Sequence, residues 1–436
     1  MGLHEEVIGA VWRSKQLASD LDALCAFGGR LAGSQSELEA RDYLRKRLAE
    51  IPDVALSEHR YSYEGWERTL SRLTLLGANG PRERACHSLL WSPDTPPGGL
   101  EAEVVDVGRG TAEAFDALAP RIKGRIVLVR HEYPFAAGTI HRMKKYIWAR
   151  DRGAAGFLIA NCIPGEMVVT GFAGANGPTD IPAAGVSLET GAMIAAQGEN
   201  GRVRLEIKGT RRPAEGASLI GEVPGQGKEW VVLSAHYDGH DLGQSALDNG
   251  TGAVAVLTIL AALAPHVGKL PRGLRAMLFT TEEWGLHGSR LYVDGLAEEE
   301  RRRIAVNVNL DTIAGGPRLA CLTSTFPELV DFAQGIERRT GISLDIVTDL
   351  RRNSDHYNFA RRGIPAMRLV SGFDRVDSEV RHLLMASDTR DKVHDSELKY
   401  GACVAAEFVW TALTRTGAIA KHKTADDLAP ILRRTE

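Results

Sequence analysis

Cysteine is scarce. Cys25, Cys86, Cys162, Cys321 and Cys403 are scattered over 436 residues, odd in number and without a C-x-x-C pair. That spacing argues against a disulfide framework or a cysteine-type zinc finger and for free thiols in a reducing compartment. Charge of one sign is lacking too: 53 Lys and Arg stand against 56 Asp and Glu, for a net charge of −3. Nothing in that balance marks a nucleic-acid or acidic-membrane partner. No uninterrupted apolar run reaches membrane-spanning length, and AVAVLTILAALA at 253–264 is too short and reads as a buried helix. The N-terminal stretch MGLHEEVIGAVWRSKQLASDLDALC carries charges throughout and has no long apolar core, so it does not read as a signal peptide. The expectation is a cytoplasmic protein with neither a membrane nor a nucleic acid as partner.

The length exceeds one ordinary core, and the composition, 44% hydrophobic and 25% charged, is that of a globular protein. Two domains follow, one carrying the other as an insert. Residues 34–51 predict an amphipathic helix with Ser36 and Glu39 as its capping box. Residues 54–92 predict strands, with GANGPRE as a turn. The Pro- and Gly-rich WSPDTPPGGLEAE marks a boundary, so 1–97 and 213–436 are read as one domain and 98–212 as a β-rich insert. From 217 onward strands alternate with helices, which argues for an α/β fold with a mostly parallel central sheet flanked by helices.

Chemistry collects where apolar strands stop. VVLSAHYD ends at His236 and Asp238, AMLFTTEE at Glu282 and Glu283, and VNVNLD at Asp311; Asp248 follows in the loop DNGTG. In open α/β sheets, ligands bind outside the carboxyl ends of strands, so these groups can meet in one crevice. Each has a plainer reading: a turn, an N-cap, a solvated helix start, a satisfied His–Asp pair. All of these would have to coincide at matching strand ends. Carboxylates packed together repel and lose hydration, and a divalent metal relieves both costs. Histidine and carboxylate without thiolate suit zinc, with manganese or cobalt as substitutes, and a bridged pair of ions would use this many oxygens.

The series HYD, DNGTG, EEWGLHGS and NLD resembles the zinc-dependent aminopeptidase and glutamate carboxypeptidase family of co-catalytic metallopeptidases. NSDHYNFARRGIPAMRL at 353–369 and GGRLAGSQSELEARDYL near the start resemble further family segments, and KGRIVLV with ARDRGAAGFLIAN resembles the protease-associated domain that some members insert. The resemblance implies a zinc exopeptidase-like fold. It implies that His236, Asp248 and Asp311 hold one zinc, that Asp248 bridges to a second held by Glu283, and that Glu282 is the general base. Asp238 would accept a hydrogen bond from the His236 ring and fix its tautomer.

One motif departs. The family's last ligand is a histidine four residues before the Asp388-Thr389-Arg390-Asp391-Lys392 segment, and here that place is Leu384. His382, two residues earlier, is the preferred substitute. His394 is a second candidate, more suited to a cap or the surface, and without either the protein would hold one zinc rather than two. His240, His287 and His356 are read as structural or as lining groups.

The resemblance implies a peptide or aminoacyl substrate and a possible homodimer. An aminopeptidase is favoured over a carboxypeptidase or dipeptidase, although Arg351 and Arg352 could hold a terminal carboxylate. Two other readings are a non-catalytic binding protein resembling the transferrin receptor and a single-zinc acyltransferase resembling glutaminyl cyclase.

Overall fold

A computed structural model describes residues 3–77, 80–173 and 181–435. The chain divides into two compact units, one of Met1–Ser62, Glu215–Leu383 and Asp388–Glu436, the other of Tyr63–Ala214 with Leu384–Ser387.

The sheet of the first unit runs, in order, Asp345–Val347, Leu319–Leu322, Ala366–Ser371, Ile304–Leu310, Trp230–His236, Gly273–Phe279 and the end of Arg202–Val223. The four strands from Ala366–Ser371 to Gly273–Phe279 are parallel. Antiparallel neighbours flank them, Leu319–Leu322 on one side and residues 219–223 on the other. The mostly parallel sheet is therefore borne out. Its central strands are buried along nearly their whole length, because helices cover them and neither face meets water; this is why they read as continuous apolar runs rather than alternating ones. Phe279 lies opposite His236, Ser234 opposite Asn309, and Leu310 opposite Leu369. The register thus aligns the carboxyl ends, and with them the residues that follow.

The helix Thr251–Val267 is apolar on nearly all sides and packs on Trp230–His236 and Gly273–Phe279, with helices Leu3–Arg13, Gln16–Ala26 and Asp395–Thr414 against it. Together with the preceding turn, residues 246–267 are long and apolar enough to span a membrane, but they are mostly buried in the unit's core. The first amphipathic helix is Gln35–Ala49, and its cap is Ser34, not Ser36. Ser34 Oγ accepts from Glu37 N at 3.2 Å and Glu37 Oε2 accepts from Gly33 N at 3.3 Å. The capping pattern is thus offset by two residues from the expected one. Glu37 is buried, with Oε1 accepting from Thr280 Oγ1 at 3.0 Å, so tertiary contact selects the register; Ser36 Oγ instead donates to Gly29 O.

In the second unit, Leu100–Asp106, Ile126–Arg130, Gly156–Ala160 and Ala183–Val186 are parallel, with Cys86–Ser88 antiparallel beside the last. Helices Ala112–Ile122, Arg142–Asp151 and Leu188–Ala196 alternate with these strands. The sequence reading opens the insert at 98, whereas this unit opens at Tyr63, inside the strand Ala55–Gly77. The physical reason is the pairing of Leu73–Gly77 with Gly80–Arg84 and the packing of Leu73 and Leu75 on Val104 and Ile126. Of the expected turn there, Ala78 and Asn79 lie outside the described residues.

His131 follows the buried strand Ile126–Arg130 and is itself buried. Burial pushes its pKa down to about 3, and Arg142, Lys145 and His141 add to the effect. An unfolded histidine titrates near 6.5. The unfolded chain therefore binds the proton first, and stability falls as pH drops from that value toward the folded one, by up to about 1.4 kcal/mol per pH unit. Hydrogen exchange at pH 7 and pH 4.5 should show the amides of Gly156–Ala160 losing less protection on acidification in His131→Gln than in the wild type.

Candidate metal centre

The centre is assembled at the aligned strand ends of the first unit. His236 closes its strand, and its Nδ1 lies 3.1 Å from the main-chain oxygen of Asp238. A proton on Nδ1 directed at that oxygen leaves the Nε2 lone pair free on the other side. Nε2 faces Asp248 Oδ1 at 3.3 Å and Asp311 Oδ1 at 3.8 Å. Burial pushes the His236 pKa down, but the carboxylates of Glu282, Asp238, Asp248 and Asp311 outweigh it and hold it well above the usual histidine range.

Asp238 does not orient the ring through its carboxylate as expected. Nδ1 lies 3.6 Å from Oδ1, beyond hydrogen-bond reach. The two carboxylate oxygens instead accept from the main-chain N–H groups of Glu282 and Glu283, each at 3.2 Å. H-x-D spacing puts both side chains on one face only while the strand continues, and this strand ends at His236. Glu282 and Glu283 are not a helix start either: the next helix begins at His287. They leave their strand through Thr281, at a left-handed φ of 59°. Burial raises both glutamates well above the usual carboxylate range; the neighbouring Asp311 adds to both, and His236 draws both back.

Asp311 is the contrasting case. Burial pushes it up, but Arg368 and His236 hold it far below the usual range. Arg368 Nη2 is 3.1 Å from Asp311 Oδ2, which leaves Oδ1 turned to His236. Asp248 is set by its loop. Asp388 accepts from Leu247 N at 2.8 Å and from Asp248 N at 3.2 Å, and burial pushes Asp388 up to about 7. Asn249 is more than a turn residue: Nδ2 donates to Leu310 O at 2.9 Å, and Oδ1 accepts from Gly252 N at 3.0 Å and Thr312 N at 3.1 Å. It ties the loop to the end of the next strand and caps the helix it precedes.

The clamp on this loop is Arg30, from the stretch GGRLAGS that the sequence reading treats only as a loop. Its guanidinium is fully buried and donates to Tyr237 O (2.8 Å), Gln244 O (2.7 Å) and Ser245 O (2.8 Å). Arg30, Asp388 and Arg368 were all missed as functional positions. A charged residue inside the apolar strand Ala366–Ser371 is the one available signal, since burial there demands a partner.

Among the described residues, His236, Glu282 and Asp311 bring one ligand atom each within 4.8 Å of one another. Asp248 adjoins them through His236, and Glu283 Oε1 is buried without a hydrogen-bond partner. Carboxylates thus outnumber the guanidinium groups beside them, with His236, Glu282 and Asp311 buried and Asp248 and Glu283 partly exposed. A divalent cation fits this donor set: oxygens and one imidazole, no thiolate.

The remaining candidates lie elsewhere. His382 closes the turn Glu379–His382, with Nε2 3.4 Å from Glu379 Oε2 and 3.4 Å from Arg381 Nε. Leu384 belongs to the second unit, where it packs on the core and its main-chain oxygen accepts from Thr170 N at 2.9 Å. His394 is exposed at the N-cap position of Asp395–Thr414. His287 Nδ1 lies 2.7 Å from Arg290 Nη2, and His356 is buried. Arg351 lies over the Phe373 ring and Arg352 over that of Tyr357. His240 sits at the centre itself, with Nε2 2.7 Å from Glu283 Oε2.

The family model for Peptidase family M28 matches residues 218–409, and that of the PA domain matches residues 100–194. Residues 218–409, which carry the centre, belong to peptidase family M28. The chain is 31% identical to Leucine aminopeptidase 2 of Trichophyton rubrum over 248 residues, 56% of this chain and 47% of that protein. It is 30% identical to the probable lipoprotein aminopeptidase LpqL of Mycobacterium tuberculosis over 319 residues, 68% of this chain and 61% of that one. Mouse carboxypeptidase Q is 29% identical over 286 residues, 61% of this chain and 58% of its own. The chain thus spans about half the length of the curated relatives it matches. In fold it is similar to a peptidase M28 precursor from Shewanella amazonensis, with a TM-score of 0.80 at 22% identity over 97% of this chain and 98% of the other. A zinc aminopeptidase from Bacillus subtilis superposes with a TM-score of 0.72 at 22% identity, over 94% and 97%.

Arg30→Met would remove the buried guanidinium that donates to Tyr237 O, Leu24 O, Gln244 O and Ser245 O, of which Ser245 O keeps a donor in Gly250 N. A loss of about 3 kcal/mol or more is expected, read as a lower urea midpoint, with the loop 237–245 exchanging its amides faster.

Proposed function

We propose that this protein is a metal-dependent exopeptidase that removes N-terminal residues from peptides. The observation that carries this reading is the convergence of His236, Asp248, Asp311, Glu282 and Glu283 at aligned strand ends, within the residues that belong to family M28. The names of its relatives, leucine aminopeptidase and lipoprotein aminopeptidase, support the aminopeptidase form. His236, Asp311 and Asp248 would hold one zinc ion, and Asp248 with Glu283 a second. A bound divalent ion supplies Lewis-acid polarisation of the scissile carbonyl and lowers the pKa of water at the site.

The chain's own residues do the rest. Glu282, buried and held through its main-chain N–H by Asp238, takes a proton from the attacking water and returns it to the leaving amine. Arg368 keeps one oxygen of Asp311 engaged, so the other faces His236. Asp388 and Arg30 hold the Asp248 loop in place before any substrate arrives, which places the preorganisation in the fold rather than in the binding event. The five cysteines are all unpaired, which supports a reducing, cytoplasmic setting.

A carboxypeptidase or dipeptidase is the second reading, supported by the likeness to carboxypeptidase Q. Zinc-loaded protein offered an aminoacyl anilide, an N-acetylated dipeptide and a free dipeptide separates the two. Cleavage that needs the free amine supports the aminopeptidase; cleavage of the acetylated dipeptide supports the alternative; no hydrolysis by the loaded protein defeats both. Glu282→Gln is expected to keep its metal content and melting temperature while kcat falls by about 10²–10⁴. Undiminished kcat would show that another group moves the proton.

A further inference from the structure

The two halves of the centre are unequally furnished. His236 and Asp311 share one side with Asp248. On the other side, Glu283 feels the Asp248 charge most strongly among its neighbours, yet none of the motifs places a nitrogen donor beside it. Neither position 384 nor the two histidines weighed in its place, His382 and His394, supplies it; His394 is exposed at the start of Asp395–Thr414. Leu384 has no donor and packs into the second unit. His382 is engaged with Glu379 and Arg381.

His240 occupies the required place. It is 3% exposed, and its Nε2 lies 2.7 Å from Glu283 Oε2, the distance of an ion pair; a zinc ion between the two atoms would hold them about 3.3 Å apart, a small side-chain shift away. Its backbone is built to hold it there. His240 N donates to Ser245 Oγ at 3.1 Å, and Gly239 N donates to Arg30 O at 2.9 Å. Arg30 in turn grips the loop on both sides of His240, at Tyr237 O and at Gln244 O and Ser245 O. The fit leaves no slack. A Cβ on Gly29 would come within 2.2 Å of His240 O, and one on Gly239 within 2.3 Å of Ser245 Oγ. Both glycines are therefore required for the loop to bring the imidazole inward. Imidazole with carboxylate oxygens is a set that zinc accepts.

We propose that His240 is the imidazole ligand of the second metal position, together with Glu283 and Asp248, in place of a histidine at 384. The proposal rests on the metal-dependent reading above and concerns which side chain completes the site. The donor has moved from a segment near the end of the chain to the loop that already carries the first ligands.

The test is metal uptake by the full chain, read without any assay of activity. Wild type, His240→Gln, His382→Gln and Glu283→Gln are loaded with zinc, dialysed, and measured for ions per chain by mass spectrometry; cobalt loading adds an absorption spectrum for each equivalent. Two ions are expected in the wild type and in His382→Gln, and one in His240→Gln and in Glu283→Gln. The double variant His240→Gln/Glu283→Gln should also retain one, since both changes empty the same position. Unchanged melting temperatures of the metal-free variants exclude misfolding as the cause, and His240→Asn replaces the glutamine variant if that one unfolds. Two ions held by His240→Gln with wild-type affinity overturn the proposal, as does a loss confined to His382→Gln or a wild type that takes up a single ion. A wild type that binds no ion at all defeats the metal-dependent reading itself.

Discussion

The centre of the first unit answers to one electrostatic constraint: several carboxylates are gathered around two buried histidines, His236 and His240. Burial raises Glu282 and Glu283, and neighbouring carboxylates, Asp311 among them, raise both further. Such a cluster is costly without a compensating cation. The protein meets part of that cost with Arg368, paired to Asp311, and with Arg30 behind the loop that carries Asp248. The remainder is the charge that a divalent ion would neutralise.

Rigidity follows from the same constraint. Like charges held close will move apart unless their backbones are fixed, and the backbone here is fixed by side chains from distant segments. Arg30 takes four carbonyls, Asp388 takes two N–H groups, Asp238 takes two more, and Asn249 joins the Asp248 loop to the strand that leads to Asp311. Left-handed residues at Thr281 and Thr312 turn the chain sharply at two of the strand exits, a strain of roughly 1–2 kcal/mol each. Strain of this kind persists only where surrounding contacts over-determine the conformation, which is common at functional sites.

Much of this was legible from residue patterns. The apolar runs ending in His236, Glu282–Glu283 and Asp311 are strands that end together, because parallel pairing in register aligns carboxyl ends that sequence leaves hundreds of ångströms of chain apart. The alternation of strand and helix after 217 did correspond to a parallel sheet. The parts that were not legible depend on direction and register. Asp238 was expected to reach a ring and reaches two amides, because the strand stops at His236, two residues before it, and the alternation does not hold beyond that point. The helix cap lies at Ser34 because Glu37 is buried against Thr280. The second unit begins at Tyr63 because a hairpin with no sequence boundary pairs inside it.

Residue identities set the inventory: which donors exist, that thiolates are not among them, and that the histidine expected at 384 is a leucine. Identity and spacing are enough for that, since a strand end can be read from where an apolar run stops. Which of those groups meet depends on the folded path of the chain. His240 lies beside Glu283 and His382 beside Glu379, although sequence distance from the motif favoured His382. The reason is that a loop's path is set by long-range hydrogen bonds, here those of Arg30 and Ser245, and a donor some two hundred residues away along the chain leaves no local trace of where it will act.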